Sequence, residues 1–349
     1  VKEILSHWTS NYTFGKSTTK VQFFAILFPK VYKLINKMKL NISVPIYLMQ
    51  KPFLKWVGGK TQIIDKILSK FPKEMENYHE LFLGGGSVLL ALLSSNIKIK
   101  GKIFAYDINE QLIYLYKNIQ RNPSTLYKKI IEIMDIYDSC PYIENNKVEN
   151  IQNNRKPKTK EEAVESRETY YYWLRKQYNY EKLTIYGSAL FIILNKLCFR
   201  GVYREGPNGF NVPFGHYKKT PTIITEENIH TISKLIENVK FKSIEFIKTF
   251  KKAKKGDFVY MDPPYAPVNE KSFVTYDKRG FKEKDHKNVF NITKLYELKG
   301  VKFLLSNSNV PYVQKQYTDE KIILEEIICK RAINSKNPGA KAKELLIYN

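Results

Sequence analysis

The stretch MDPPYAP, residues 261–267, holds the residue types best matched to a chemical task. An acid that closes the apolar run FVYM and precedes two prolines makes a rigid polar rim. Proline lacks an N–H and has a fixed φ, so the carbonyls of Pro263 and Pro264 point outward in a set array. Asp262 and the Pro263 carbonyl can then accept both hydrogens of one planar amino group, and Tyr265 can stack on the ring that bears it. The plain alternative is a proline turn with a surface Asp. A bare Asp-Pro-Pro would favour that alternative; the full Asp-Pro-Pro-Tyr behind an apolar strand does not.

FLGGGS, residues 82–87, is the second such stretch. Gly84 and Gly86 let a ligand approach the backbone, and the helix that follows offers its N-terminus. A dinucleotide fingerprint would need a third glycine at 89, where Leu89 stands. Asp107 lies 21 residues beyond Gly86, at the end of the next strand, where a carboxylate suits the two hydroxyls of a ribose. Glycine turn and ribose acid together point to an adenosine-type cofactor, with a purely structural tight turn as the alternative. A third stretch, FLKWVGGKT at 53–61, looks like a phosphate loop, but that pattern needs a glycine at Leu54. A nucleoside triphosphate is therefore disfavoured. The five histidines show no metal-ligand spacing, and Cys140, Cys198 and Cys329 form no Cys-x-x-Cys pair, so no metal is expected.

These residues need elements to hold them. YHELFLGGG (78–86), KIFAYDIN (102–109), DFVYMDPPY (257–265), VKFLLSNSN (301–309), EEIICKRAI and KELLIYN read as strands. SVLLALLSS (87–95) reads as the helix after the glycine turn. The alternation predicts an α/β fold with a mostly parallel sheet and ligands at the strands' carboxyl ends. Between Asn109 and Asp257 the pattern turns helical, with LIYLYKNIQ, EEAVESRETYYYWLRKQYNY and YGSALFIILNKLCF around a polar linker at 145–160. The stretch 199–221, dense in Gly, Pro, Asn and aromatics, reads as a loop or hairpin. The expected organisation is a basic extension at 1–50, a catalytic unit from 51–114 and 251–349, and a helical subdomain at 115–250. Residues 1–50 carry a single acid, Glu3, and begin at Val1. Met38 and Met49 are alternative starts, and the segment is read as accessory or as a translation artefact.

The chain carries 58 Lys and Arg against 34 Asp and Glu, a formal net charge of +24. That balance suits a polyanion such as DNA or RNA. Only eight of the basic residues are Arg, and Lys, Ile, Asn and Tyr abound, as a compositional bias would also produce. The few arginines are the more informative for that reason. VQFFAILF (21–28) is too short to span a bilayer, so no membrane association is expected. Three widely spaced cysteines predict a reducing, intracellular setting.

Taken in order, FLKWVGGK, FLGGGSV, YDIN, FRGVYREGPNGFNVPFGHYKK and DPPYAP resemble the Dam-type (class alpha) DNA adenine-N6 methyltransferases, from about Pro52 to Asn349. The resemblance implies a Rossmann-like methyltransferase sheet with an inserted, mainly helical target-recognition subdomain. It implies S-adenosylmethionine (SAM) as cofactor, without a metal, and double-stranded DNA as partner. Trp56, Lys60, Phe82, Gly84, Gly86, Asp107 and Asp262 match the family's cofactor positions. Asp262, Pro263, Pro264 and Tyr265 match its catalytic motif. Lys55 would face DNA, and the loop 199–221 would read it.

In that loop Arg204 matches a position that contacts guanine, and Phe199 matches an aromatic wedge. Lys218 and Lys219 match phosphate contacts. Arg200 stands where many relatives have Asn, His216 where some have Arg, and Leu81 where Pro is usual. GATC is the first expectation for the target, and a monomer for the assembly. Arg331 and its loop receive no role. The alternatives are methylation of cytosine N4, where Ser more often replaces the acid at 262, methylation of RNA, or a DNA-binding protein of this fold without catalysis. The filled catalytic and cofactor positions argue against the last.

Overall fold

The computed structural model describes residues 49–143, 154–267, 280–330 and 341–349. The extension before residue 49, linker residues 144–153, and Arg331 with its loop lie outside the described residues.

The elements run in chain order as helix α1 (Ile64–Leu68), strands β1 (Glu74–Met75) and β2 (Tyr78–Glu80), α2 (Ser87–Leu93), β3 (Lys98–Ile99) and β4 (Ile103–Asp107). A helical stretch follows: α3 (Glu110–Arg121), α4 (Pro123–Ser139), α5 (Lys160–Ala163), α6 (Arg167–Tyr180) and α7 (Ile185–Leu197). Then come the hairpin β5 (Glu205–Gly206) and β6 (Gly209–Phe210), α8 (Glu226–Leu235), β7 (Val239–Ser243) and β8 (Phe258–Met261). The chain ends with α9 (Glu283–Leu298), β9 (Lys302–Ser308), α10 (Pro311–Gln314), β10 (Ile323–Lys330) and β11 (Lys341–Tyr348).

Seven strands form the central sheet in the order β10-β11-β9-β8-β2-β4-β7. The run from β9 to β7 is parallel; β11 lies antiparallel to β9, and β10 to β11. This is the α/β, mostly parallel arrangement expected from the sequence. β8 is buried at every residue, as a central parallel strand covered on both faces must be. β7 alternates instead. Val239 and Phe241 are buried while Lys240 and Lys242 are exposed, which suits an edge strand. This strand belongs to the central sheet although it falls inside the stretch 115–250 read as helical.

Each face of the sheet has its own core. On one face Tyr78, Ala105, Tyr260, Leu304 and Leu346 pack against α2, α3, α4, α6, α7 and α8. On the other Leu81, Tyr106, Met261, Leu305 and Leu345 pack against α9 and α10. The helical insertion thus shares a core with the sheet, and α7, buried along nearly its whole length, joins the two. Its start is set by Thr184, whose hydroxyl accepts from the Gly187 N–H at 2.9 Å. Among the described residues no helix is long and apolar enough to cross a membrane.

The strand order has one consequence for chemistry. From β2 the chain steps outward to β4 and β7, then returns to β8 on the other side of β2. The order reverses between β2 and β8, and in open α/β sheets the ligand crevice lies beyond the carboxyl ends of the strands at that point.

Candidate active site

Both chemically distinctive stretches leave the sheet at this reversal. β2 ends at Glu80 and runs through Leu81–Gly86 into α2, and β8 ends at Met261, directly before Asp262. Three bonds seat the first turn: Leu81 N–H to the Tyr260 carbonyl (3.0 Å), Leu83 N–H to the Tyr106 carbonyl (2.8 Å), and Gly86 N–H to the Leu83 carbonyl (2.9 Å). Gly84 and Gly86 both take positive φ, +49° and +68°, which favours glycine.

The close approach at this turn includes protein as well as any ligand. A Cβ on Gly84 would lie 2.8 Å from the Trp56 indole nitrogen, and one on Gly85 2.7 Å from the Trp56 Cβ. Asp107, the last residue of β4, holds the turn from the neighbouring strand. One carboxylate oxygen accepts from Gly84 N–H and the other from Asn109 N–H, each at 2.9 Å. Phe82 points to an aromatic group with Phe246 and Phe281, ring centroids 5.1 and 6.1 Å away.

Lys60 is almost wholly buried, and its ammonium sits 2.7 Å from Asp262 Oδ2 and 2.6 Å from the Gly58 carbonyl. It also lies 5.0 Å from the centroid of the Tyr265 ring. Its backbone N–H donates to Ser87 Oγ at the start of α2. The residue that looks like a phosphate-loop lysine is thus turned onto the catalytic-motif acid. Burial raises the Asp262 carboxyl above its ordinary value, the Lys60 ammonium opposes that rise, and the Glu344 carboxylate adds to it.

Glu80 was not singled out from the sequence. It is buried at the end of β2, and Tyr78 Oη donates to it at 2.7 Å. Burial pushes its carboxyl up to about 8, the Tyr78 hydrogen bond opposes this, and the Asp262 and Asp107 carboxylates push it further up. An acid inside an apolar strand was the available signal. Beyond the strand ends Asp107 and Asp262 therefore stand with one buried lysine and with Glu80, whose raised carboxyl is mostly protonated at neutral pH and can ionise beside a bound cation. A sulfonium bearing an adenosine fits this donor set, with Asp107 at the second strand's end as the acceptor for ribose hydroxyls.

The loop 199–221 lies beside the crevice and is tied to it. Asn195 of α7 accepts from Lys55 N–H and donates to the Lys55 carbonyl, both at 2.8 Å, and donates to the Gly201 carbonyl at 3.2 Å. Tyr203 stacks on Trp56 at 5.6 Å and on Phe191 at 5.0 Å. Asn179 bonds both the N–H and the carbonyl of Phe210, and Tyr171 and Arg175 both donate to the Val212 carbonyl. None of Asn195, Tyr203 and Asn179 was singled out, because their partners lie far away in sequence.

On this frame Phe199 is 48% exposed, and Arg200, Arg204, Lys218, Lys219 and Lys55 are exposed. Arg200 keeps a left-handed φ of +58° with its guanidinium over the Phe199 ring, a conformation uncommon outside glycine. Arg204 is oriented by Asn211 Oδ1, 2.8 Å from its Nε. His216 differs from its neighbours: it is half-buried, and its Nδ1 lies 3.6 Å from Glu168 of α6. Trp56, Lys60, Gly84, Gly86, Asp107, Asp262 and Tyr265 thus gather at the crevice, and the basic positions lie on the exposed loop and on Lys55.

Residues 56–330 match the family described as D12 class N6 adenine-specific DNA methyltransferase. The chain belongs to this family. It is similar to the type II methyltransferase M.MjaIII of Methanocaldococcus jannaschii, 36% identical over 86% of this chain and 99% of that protein. The type II methyltransferase M1.LlaDCHI of Lactococcus lactis subsp. cremoris is 31% identical over 90% of this chain and 98% of its own length. The DNA adenine methylase of Haemophilus influenzae is 29% identical over 86% and 93%. The chain is an adenine-specific DNA methyltransferase, and DNA is its macromolecular partner.

Proposed function

We propose that this methyltransferase transfers the methyl group of SAM to N6 of an adenine turned out of duplex DNA within a short motif, with GATC as the first candidate. The observation that carries the reading is the placement of Asp262 beyond β8, at the strand reversal, among Lys60, Glu80 and Tyr265.

SAM supplies the electrophilic methyl group. The chain's part is to bind, orient and compensate charge. Trp56, Phe82, Gly84, Gly86 and Asp107 hold the cofactor side, and a cation there favours ionisation of the buried Glu80 carboxyl. An adenine amino group is a poor nucleophile because its lone pair is delocalised into the ring. Asp262 and the Pro263 carbonyl hold that amino group, while Pro264 keeps the turn stiff and Tyr265 stacks the base. These acceptors bind N6 more strongly as it becomes cationic than they bind the neutral base, which is the condition for catalysis. The surplus N6 proton leaves along the hydrogen bond to Asp262.

The base must leave the stack first, at a cost of a few kcal/mol. Phe199 is the wedge that fills the gap, and Arg204 reads a guanine. Lys55, Arg200, His216, Lys218 and Lys219 are the remaining DNA contacts, and Lys218 and Lys219 meet phosphates. The helical insertion carrying the loop 199–221 is the target-recognition subdomain, within a monomer that works in a reducing, intracellular setting on one strand at a time.

Labelled-methyl transfer from SAM to a mixed duplex pool, with modified bases identified and flanking sequences read, tests this. N6-methyladenine in one short motif is expected. N4-methylcytosine, or label confined to RNA, would overturn the reading.

A further inference from the structure

Tyr265 is tied to the strand KELLIYN, which takes no part in the proposed chemistry. Its hydroxyl donates to Glu344 Oε2 at 2.8 Å, and Glu344 belongs to β11, the antiparallel strand two places from β8. Glu344 stands opposite Ser308 of β9 in register. The loop at Tyr265 is pinned from β9 as well. Asn307 Oδ1 accepts from the Ala266 N–H at 3.0 Å, and Ser308 Oγ donates to the Ala266 carbonyl at 2.6 Å.

The backbone beyond Tyr265 is thereby fixed, but a fixed backbone leaves the ring free to turn about its side-chain torsions. The Lys60 ammonium touches one part of the ring, 5.0 Å from its centroid. The Glu344 carboxylate anchors the far tip. Burial and the neighbouring Glu344 carboxylate push the Cys329 thiol up to about 12, so it stays protonated beside Glu344.

We propose that Glu344 is a positioning residue for methyl transfer, holding the Tyr265 ring at the angle at which it stacks the target adenine. The inference rests on the reading that Tyr265 stacks that base. Glu344 acts on the site in a second way. The groups facing Asp262 are Lys60 before α1, Glu80 of β2, Tyr260 of β8, Tyr265, and Glu344 of β11. Glu344 adds to the rise in the Asp262 carboxyl, so removing its charge lowers the pH at which Asp262 protonates.

The test is steady-state methyl transfer on a duplex carrying the target motif, with thermal unfolding of each variant, for Tyr265→Phe, Tyr265→Ala, Glu344→Ala, Glu344→Gln and the pair Glu344→Ala with Tyr265→Phe. Glu344→Ala and Tyr265→Phe delete the same hydrogen bond from its two ends, so each is expected to lower kcat about tenfold. The double variant is expected to be no slower than the slower single one. Glu344→Gln keeps an acceptor oxygen; it should hold most of the rate at neutral pH and move the acid limb of the rate profile to lower pH.

Losses that multiply in the double variant, or a Glu344→Gln enzyme as slow as Glu344→Ala with no displaced limb, would overturn the proposal. If Glu344→Ala does not fold, Tyr265→Phe and Glu344→Gln still decide: a Tyr265→Phe enzyme at the wild-type rate overturns it. A Tyr265→Ala enzyme at the wild-type rate overturns the stacking reading instead.

Discussion

The crevice between β2 and β8 and the loop 199–221 solve opposite problems. In the crevice the charged groups are buried or half-buried and held by strands, with Lys60 against Asp262, Tyr78 against Glu80, and Gly84 against Asp107. On the loop Arg200, Arg204, Lys218 and Lys219 are exposed, and the backbone beneath them is held by Asn195, Asn179, Tyr171 and Arg175. A site that stabilises a developing charge needs pre-set acceptors in a dry place. A surface that reads DNA needs side chains that reach out from a backbone that does not move. The two regions meet at Trp56, which packs on the glycine turn on one side and on Tyr203 on the other.

This contrast can be broken at either end. The largest effect is expected for Asp262→Ala, which removes an acceptor facing the cationic nitrogen. Methyl transfer should fall by at least about 10²–10³-fold, measured with labelled SAM at saturating DNA. Arg204→Ala should leave the rate on the best site nearly intact and relax one base pair by about 1–3 kcal/mol, read by sequencing the methylated positions. An unchanged methylation pattern would remove Arg204 from the reading surface.

Asn195→Ala strikes the joint between the regions. It strips partners from Lys55 and Gly201, and should lower unfolding stability by about 1–3 kcal/mol in a denaturant titration. A smaller effect belongs to Lys218→Ala and Lys219→Ala: each should reduce the salt slope of DNA binding by about 0.9 if its lysine meets a phosphate.

The pH dependence sharpens the crevice side. Transfer needs ionised Asp262, whose carboxyl is raised in the folded protein, so activity is retained above that raised value and lost as pH falls through it. Lys60 opposes the rise. Lys60→Met should therefore shift the acid limb of kcat/KM to higher pH, and a limb that stays in place would separate Lys60 from Asp262.

The strands that carry chemistry were readable because each ends in something unusual, a glycine turn after Glu80, Asp107 after IFAY, Asp262 after FVYM. β7 was missed because its lysines interrupt the apolar run on the exposed face, and α9 because its apolar residues share a helix with many charges. Asp107 and Asp262 could be placed at strand ends from local pattern alone. Glu80 was visible only as an acid in a strand, and its neighbours were not. Asn195, Tyr203 and Glu344 escaped because their partners Lys55, Trp56 and Tyr265 are 140, 147 and 79 residues away, and no local pattern encodes such pairings.

The central claim is that chemistry and reading are separate tasks held by separate regions. The direct measurement is the affinity of Asp262→Ala for a duplex carrying the target motif and for one lacking it, taken beside its transfer rate. The account predicts that transfer is lost while the preference for the target duplex stays close to wild type, because exposed loop residues and lysine–phosphate contacts supply the binding. A preference that collapses together with the rate would contradict it.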